Sequence, residues 1–226
     1  MKKIVTLFLF LLSISSYAQE LQTTGAYTSK SKDINKLYLV TNDYISITTF
    51  KDDKYINTLG GFFTLNGSNL NLKLEYYDSY PDSVGLIKII PITRINNNQL
   101  SSEGTLITKL PNSSQALDGL WRISGRKSGE TMNDIPKGDR KTIKILVDGY
   151  FQWIAINPAE KGFYGTGGGK YGFKDGKYSE DIIFFSRDNS RVGHHLEFDG
   201  AIKNNQWHHS GKSSKGDAIY EIWSKE

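Results

Sequence analysis

Gly60-Gly61-Phe62-Phe63-Thr64-Leu65-Asn66-Gly67 and Gly168-Gly169-Lys170-Tyr171-Gly172-Phe173-Lys174-Asp175 are two versions of one segment, and their alignment decides how the chain is built. The register continues without a gap through Leu74/Ile182, Tyr76/Phe184, Tyr77/Phe185 and Val84-Gly85/Val192-Gly193. Further on, Asn97-Asn98-Gln99-Leu100 matches Asn204-Asn205-Gln206-Trp207, and upstream Asn42-Asp43-Tyr44 matches Asp148-Gly149-Tyr150. A period of about 108 residues far exceeds the roughly 20 to 50 of a solenoid repeat, so each copy is a domain in its own right. Polar turn formers and Pro111 between Lys109 and Ala116 mark the join, which gives a first domain over 20–110 and a second over 116–226. The second copy is longer mainly around Ser128 to Lys141, a loop candidate near one end of the domain, where binding residues often sit.

Apolar alternation broken by Asx-Gly pairs predicts antiparallel hairpins, and almost nothing has helical spacing. Ile143 to Val147 and Tyr150 to Ile154 flank Asp148-Gly149, a two-residue hairpin turn. Tyr171-Gly172-Phe173 and Tyr178 to Phe185 flank Asp175-Gly176 in the same way. Leu196-Glu197-Phe198 joins Trp207-His208-His209 through Lys203-Asn204-Asn205. With Leu120 to Ile123 opening the domain and Ile219 to Trp223 closing it, the count is about eight strands, enough to close a small barrel without exposed edges. The fold class is all-β, two tandem small antiparallel barrels.

Leu117-Asp118-Gly119-Leu120-Trp121 resembles the Gly-x-Trp opening strand of lipocalins. The rest of the second copy is similar to the lipocalin-like domain of unknown function found in secreted proteins of Gram-negative gut and marine bacteria. The stretches that carry the likeness are Asp148 to Trp153, Gly168 to Tyr171, Trp207 to Gly211 and Tyr220 to Trp223. The first copy departs from it: Tyr27 stands where Trp121 does, Leu100 replaces Trp207, and Ser102-Glu103 replaces His209-Ser210. The resemblance implies a lipocalin-like (calycin-type) barrel, diverged in the first copy, and brings no settled ligand with it.

The N-terminus reads as an export signal over 1–18. Lys2 and Lys3 precede an apolar run from Ile4 to Leu12, and Ser16-Tyr17-Ala18 supplies the small residues of a cleavage site. The product is expected in the periplasm or outside the cell. With Cys 0 it has no lipid-acceptor residue, disulfide or thiolate ligand. No later stretch approaches the roughly 18 apolar residues of a membrane helix. The formal charge of +4 includes the two signal lysines, and the small excess left is no argument for nucleic acid.

All four histidines fall in the second copy, as His194-His195 and His208-His209. Consecutive strand residues point to opposite faces, so each pair offers one ring to a given site, and no metal is assigned. Pairing Ile202 with Trp207 puts His194, Leu196 and Phe198 on one face with Trp207 and His209, directed inward, while His195 and His208 face out. Gly167, Gly169 and Gly172 form an accidental G-x-G-x-x-G. A strand follows where a nucleotide site needs a helix, so a bulge at a barrel corner is predicted and no cofactor. No spacing of nucleophile, base or paired carboxylates stands out, and the question of an enzyme activity stays open on the sequence. Glu180 and Glu221 turn inward beside Tyr178 and Trp223, where each needs a partner such as Arg122 or an inward histidine.

The resulting candidate ligand-binding set is Trp121, Tyr178, His194, Phe198, Trp207, His209, Glu221 and Trp223, around a small, largely apolar molecule. The alternative is a filled barrel whose outer surface docks on a cell-envelope protein or glycan. Its motivation is that the Ile143–Ile156 hairpin is apolar on both faces, with Phe151 and Trp153 opposite Ile145 and Ile154, where a strand wetted on one side should alternate more cleanly.

Overall fold

The computed structural model describes residues 23–111, 113–213 and 215–226; the export signal expected over 1–18 lies outside them. The first sheet contains β1 (Gly25–Ser31), β2 (Ile34–Val40), β3 (Tyr44–Lys51), β4 (Lys54–Asn66), β5 (Asn69–Tyr77), β6 (Ile87–Pro91), β7 (Thr93–Asn96), β8 (Gln99–Ser102) and β9 (Thr105–Lys109). The second contains β10 (Gly119–Ser128), β11 (Thr131–Asp134), β12 (Lys141–Val147), β13 (Tyr150–Asn157), β14 (Gly162–Lys174), β15 (Lys177–Phe185), β16 (His195–Lys203), β17 (Gln206–Lys212) and β18 (Ala218–Lys225). Every neighbouring pair is antiparallel, and the order follows the chain as a meander.

Each sheet curls into a barrel. In the second, β10 pairs with β12 on one side and β18 on the other, which closes the ring. In the first, β1 pairs with β2 and with β9. There β6 and β7 are two halves of one strand broken at Pro91-Ile92, where proline has no N–H to give the ladder. The extra length of the second copy is a projecting hairpin: β10 runs past the barrel and β11 folds back on it from Ser128↔Thr131 to Gly125↔Asp134. The hairpin turns read from the sequence are present, with Asp148 and Gly149 at φ 51° and 76° and Asp175 and Gly176 at 51° and 75°, the paired positive values a type I′ turn requires.

The glycine pairs that revealed the repeat have one job in both copies. The ladders shift register at Gly60/Gly61 and again at Gly168/Gly169. A Cβ on Gly169 would overlap the Asp181 carbonyl oxygen, and one on Gly168 would lie 2.5 Å from the Phe151 oxygen and from the Phe184 ring. In the first barrel a Cβ on Gly60 would overlap the Tyr76 hydroxyl. The shift also exchanges faces on the partner strand. Tyr178, Ile182 and then Phe185 pack with the interior of the second barrel, while Phe184 goes outward. Leu70, Leu72, Leu74 and Tyr77 do the same in the first, with Tyr76 outward.

Those outward aromatics belong to a third apolar cluster, lying between the barrels. Leu37, Leu39, Tyr44 and Tyr76 of the first pack with Ile143, Ile145, Val147, Ile154, Ile156 and Phe184 of the second. This accounts for the doubly apolar Ile143–Ile156 hairpin and corrects the inference drawn from it: the outer face is covered by the chain's own first barrel and offers no exposed patch for an envelope partner. Equivalent faces meet, since β4 packs on β15 and β5 on β14, as in a two-fold dimer interface. At its centre Gln152, 1% exposed, receives hydrogen bonds at Oε1 from Ser46 (2.5 Å) and Thr48 (3.1 Å), and donates from Nε2 to Thr58 (3.1 Å) and Thr166 (2.9 Å). Lys141–Glu75 at 2.8 Å and Lys161–Asp82 at 3.0 Å bridge the rim.

Candidate functional site

The second barrel has a sealed end and an open one. At the sealed end Trp121 fills the lumen, its Nε1 donating to the Leu117 carbonyl at 2.7 Å, and Lys225 Nζ lies 4.2 Å from the Trp121 ring centroid. Trp121, Trp207 and Tyr178 pack in series edge to face, with ring centroids 6.0 and 4.8 Å apart. Above this floor is a cavity of about 280 Å³, open at the end that carries the β10–β11 hairpin, the 186–194 turn and the β17–β18 connection.

Strand parity decides who lines it. On β12, Ile143, Ile145 and Val147 face the first barrel, so Thr142, Lys144 and Leu146 face in. On β13 the inward set is Phe151, Trp153 and Ala155. Ile182, Phe185, Leu196, Phe198, Ile219 and Trp223 complete the apolar wall, and Arg126, Lys144, Glu180, His209 and Glu221 supply its charge and polarity.

Of the predicted site residues, Phe198, His209, Glu221 and Trp223 line the cavity. Trp121, Tyr178 and Trp207 are buried beneath it and form its floor. His194 is corrected outright. It is exposed in the turn before β16, its N–H bonded to the Arg191 carbonyl, because the strand on which parity was counted starts only at His195. His195 and His208 face out as expected, bonded to Asp181 and Tyr220 at 2.7 and 2.9 Å. Among the described residues no three His, Asp or Glu side chains converge on a metal position.

Both inward carboxylates are present; Glu221 has the inward His209 beside it, as one of the proposed partners, while neither is held by Arg122. Glu180 Oε1 accepts from Lys144 Nζ and from the Tyr178 hydroxyl, each at 2.8 Å. Arg122 is occupied elsewhere, 3.3 Å from Glu226. Lys144 was missed because a lysine between Ile143 and Ile145 reads as the wetted residue of an alternating strand. Its cross-strand partner Trp153 was the available signal. The buried ammonium is also 5.0 to 5.7 Å from the ring centroids of Trp223, Trp207, Tyr178 and Phe151, which offsets part of its desolvation. Burial and the Glu180 charge hold the Tyr178 hydroxyl well above its ordinary pKa, so it stays a donor.

Glu221 spans the wall. Its Oε1 accepts from Arg126 at 2.6 Å near the mouth, and Oε2 from Trp223 Nε1 at 3.2 Å. Burial alone would raise its pKa, but His209, Lys144 and Arg126 outweigh that and bring it down to about 2. His209 is 2% exposed, with ring centroids 4.2 Å from Phe198, 5.2 Å from Trp207 and 5.4 Å from Tyr178. Burial lowers its pKa and favours the neutral imidazole. Its Nδ1 lies 3.5 Å from Glu221 Oε2, near enough to act on the carboxylate but long for a hydrogen bond, and neither ring nitrogen has a hydrogen-bond partner. A buried ring with two unmet nitrogens, facing an open cavity, is a feature that a bound molecule would satisfy.

Comparison with models of known protein families gives no match, and neither does comparison with curated proteins.

Proposed function

We propose that the second barrel is a binding cup for one small, largely apolar molecule, and that the first is a companion whose role is to brace it. The cavity carries this reading. A barrel of eight strands has room either for its own side chains or for one small ligand. Here the floor residues stop short of the mouth and leave about 280 Å³ between apolar walls. The first barrel's interior is taken up by its own chain, with Ile47, Leu59, Phe63, Leu70, Leu72 and Ile107 packed together. The volume sits just under the roughly 300–1,000 Å³ of sites for drug-sized ligands, so a body of one or two rings fits better than a porphyrin or an acyl chain. The lipocalin-like opening strand and the N-terminal signal pattern support a carrier or scavenger in the periplasm or outside the cell.

Native mass spectrometry of the full chain, purified without denaturation, tests the proposal, followed by titration of small aromatic compounds against tryptophan emission. Trp153 and Trp223 line the cavity, so occupancy should quench them saturably. No co-purifying mass together with no saturable quenching would overturn the cup.

A further inference from the structure

We propose that the molecule held in the cup is uncharged, and that His209 reads it through a hydrogen bond between one of its ring nitrogens and a neutral polar group, such as a phenolic or alcoholic hydroxyl or a cyclic amide. The inference rests on the cup reading and narrows it to a ligand chemistry.

The first ground is charge. The lining contains two cations and two carboxylates in two pairs: Lys144 with Glu180 at 2.8 Å, both buried, and half-exposed Arg126 at the mouth with buried Glu221 at 2.6 Å. A ligand carboxylate or ammonium would enter an electrically balanced, largely apolar space. Below the mouth it would have to break the Lys144–Glu180 pair, leaving a buried charge alone, or remain unpaired itself, and either costs more than the apolar contact returns. A neutral molecule meets no such penalty.

The second ground is what the wall leaves unmet. Both nitrogens of His209 are buried without a hydrogen-bond partner, while the carboxylates and the lysine beside it are engaged. A neutral imidazole presents one N–H and one lone pair. The two point away from each other, so a ligand group meets one of them, and a neutral hydroxyl or amide can answer either a donor or an acceptor. Phe198, Trp207 and Tyr178 clamp the ring, so it is held ready and little side-chain freedom is lost on binding. The remaining lining, Trp153, Ile182, Phe185, Leu196 and Trp223, suits a flat apolar body.

The test uses three probes with one ring system and three charges: 2-naphthol, 2-naphthoate and 2-naphthylmethylammonium, titrated calorimetrically into the full chain at pH 7.5. 2-Naphthol should bind at least about tenfold more tightly than either ion. His209→Phe, which keeps the ring and removes both nitrogens, should weaken 2-naphthol by about tenfold or more, whereas His209→Gln, with a donor and an acceptor, should recover most of the loss. If His209→Phe does not fold, the comparison of wild type with His209→Gln and His209→Ala decides the role of the nitrogens. An ion that binds as tightly as the naphthol, or a His209 variant lacking both nitrogens that binds as tightly as wild type, overturns the inference while leaving the cup intact. Failure of all three probes overturns it as well, and the native mass spectrum then tells whether the cup falls too.

Discussion

Replacing Gln152 with leucine should reveal how strongly the two barrels are held together. The side chain is 1% exposed and makes four hydrogen bonds, three of them to the first barrel. Leucine is of similar size, so little packing is lost and the change is one of polar satisfaction. Ser46 Oγ loses its acceptor and already receives a bond from the Tyr76 hydroxyl at 2.7 Å, so one donor of that pair must go unmet. Thr48 can turn to Thr58 at 2.9 Å, but Thr58 and Thr166 lose the amide donor, while each keeps its own bond to a carbonyl, Ile47 and Trp153. One orphaned donor and two weakened acceptors, at about 1–3 kcal/mol for a fully unsatisfied buried group, put the loss near 3 kcal/mol. Urea denaturation followed both by tryptophan emission, which reports only the second barrel, and by far-ultraviolet circular dichroism, which reports both, measures it. Wild type should show coincident transitions, and the variant an earlier midpoint with the two signals drawing apart. Ser46→Ala combined with Gln152→Leu should cost less than the separate losses added, by about 1 kcal/mol or more, because the two share one bond. A loss below about 0.5 kcal/mol, or strict additivity, would refute the network as the tie between the barrels.

Three further outcomes follow from the site and the sheet. Glu221 has a folded pKa of about 2 against an ordinary 4.5. Its contribution of about 3 kcal/mol is complete above pH 4.5 and lost as pH falls toward 2. His209, lowered by burial, adds loss in the same direction as pH drops below 6.5, because the unfolded chain takes up its proton first. Stability against pH should therefore fall on the acid side, and Glu221→Gln should flatten the part below pH 4.5. His209→Ala should cost about 2 kcal/mol through the packing it gives up against Phe198, Trp207 and Tyr178. His208→Ala, on the outer face, should stay within about 0.5 kcal/mol; the reverse order in urea melts would mean the faces of β17 are exchanged. Gly169→Ala, whose methyl would meet the Asp181 carbonyl, should cost about 3 kcal/mol or more or abolish folding, whereas Gly172→Ala, three residues on and near only Ser179 Oγ at 3.1 Å, should be mild in thermal melts.

Much of the architecture was legible because it is local. The Asx-Gly turns, the alternation between them and the long period set two meandering barrels, and the pairing of Ile202 with Trp207 placed His209 inward and His208 outward as predicted. What alternation does not contain is which of two apolar faces is the interior, and here each barrel has a second interior where it meets the other. Burial against the first barrel claims Ile143, Ile145 and Ile154, and so turns Lys144 inward, where it meets Glu180. The register shift opposite Gly168-Gly169 carries Phe184 to that interface and Phe185 to the cavity, a face exchange that no period-two reading follows. The start of β16 at His195 removes His194 from the site. The sequence thus determined the strands, the turns and the tandem plan, which depend on neighbours along the chain. Only the packing of one barrel on the other decided which side chains are buried as partners, which are left to line the cavity, and why His209 alone among the histidines is buried and still unsatisfied.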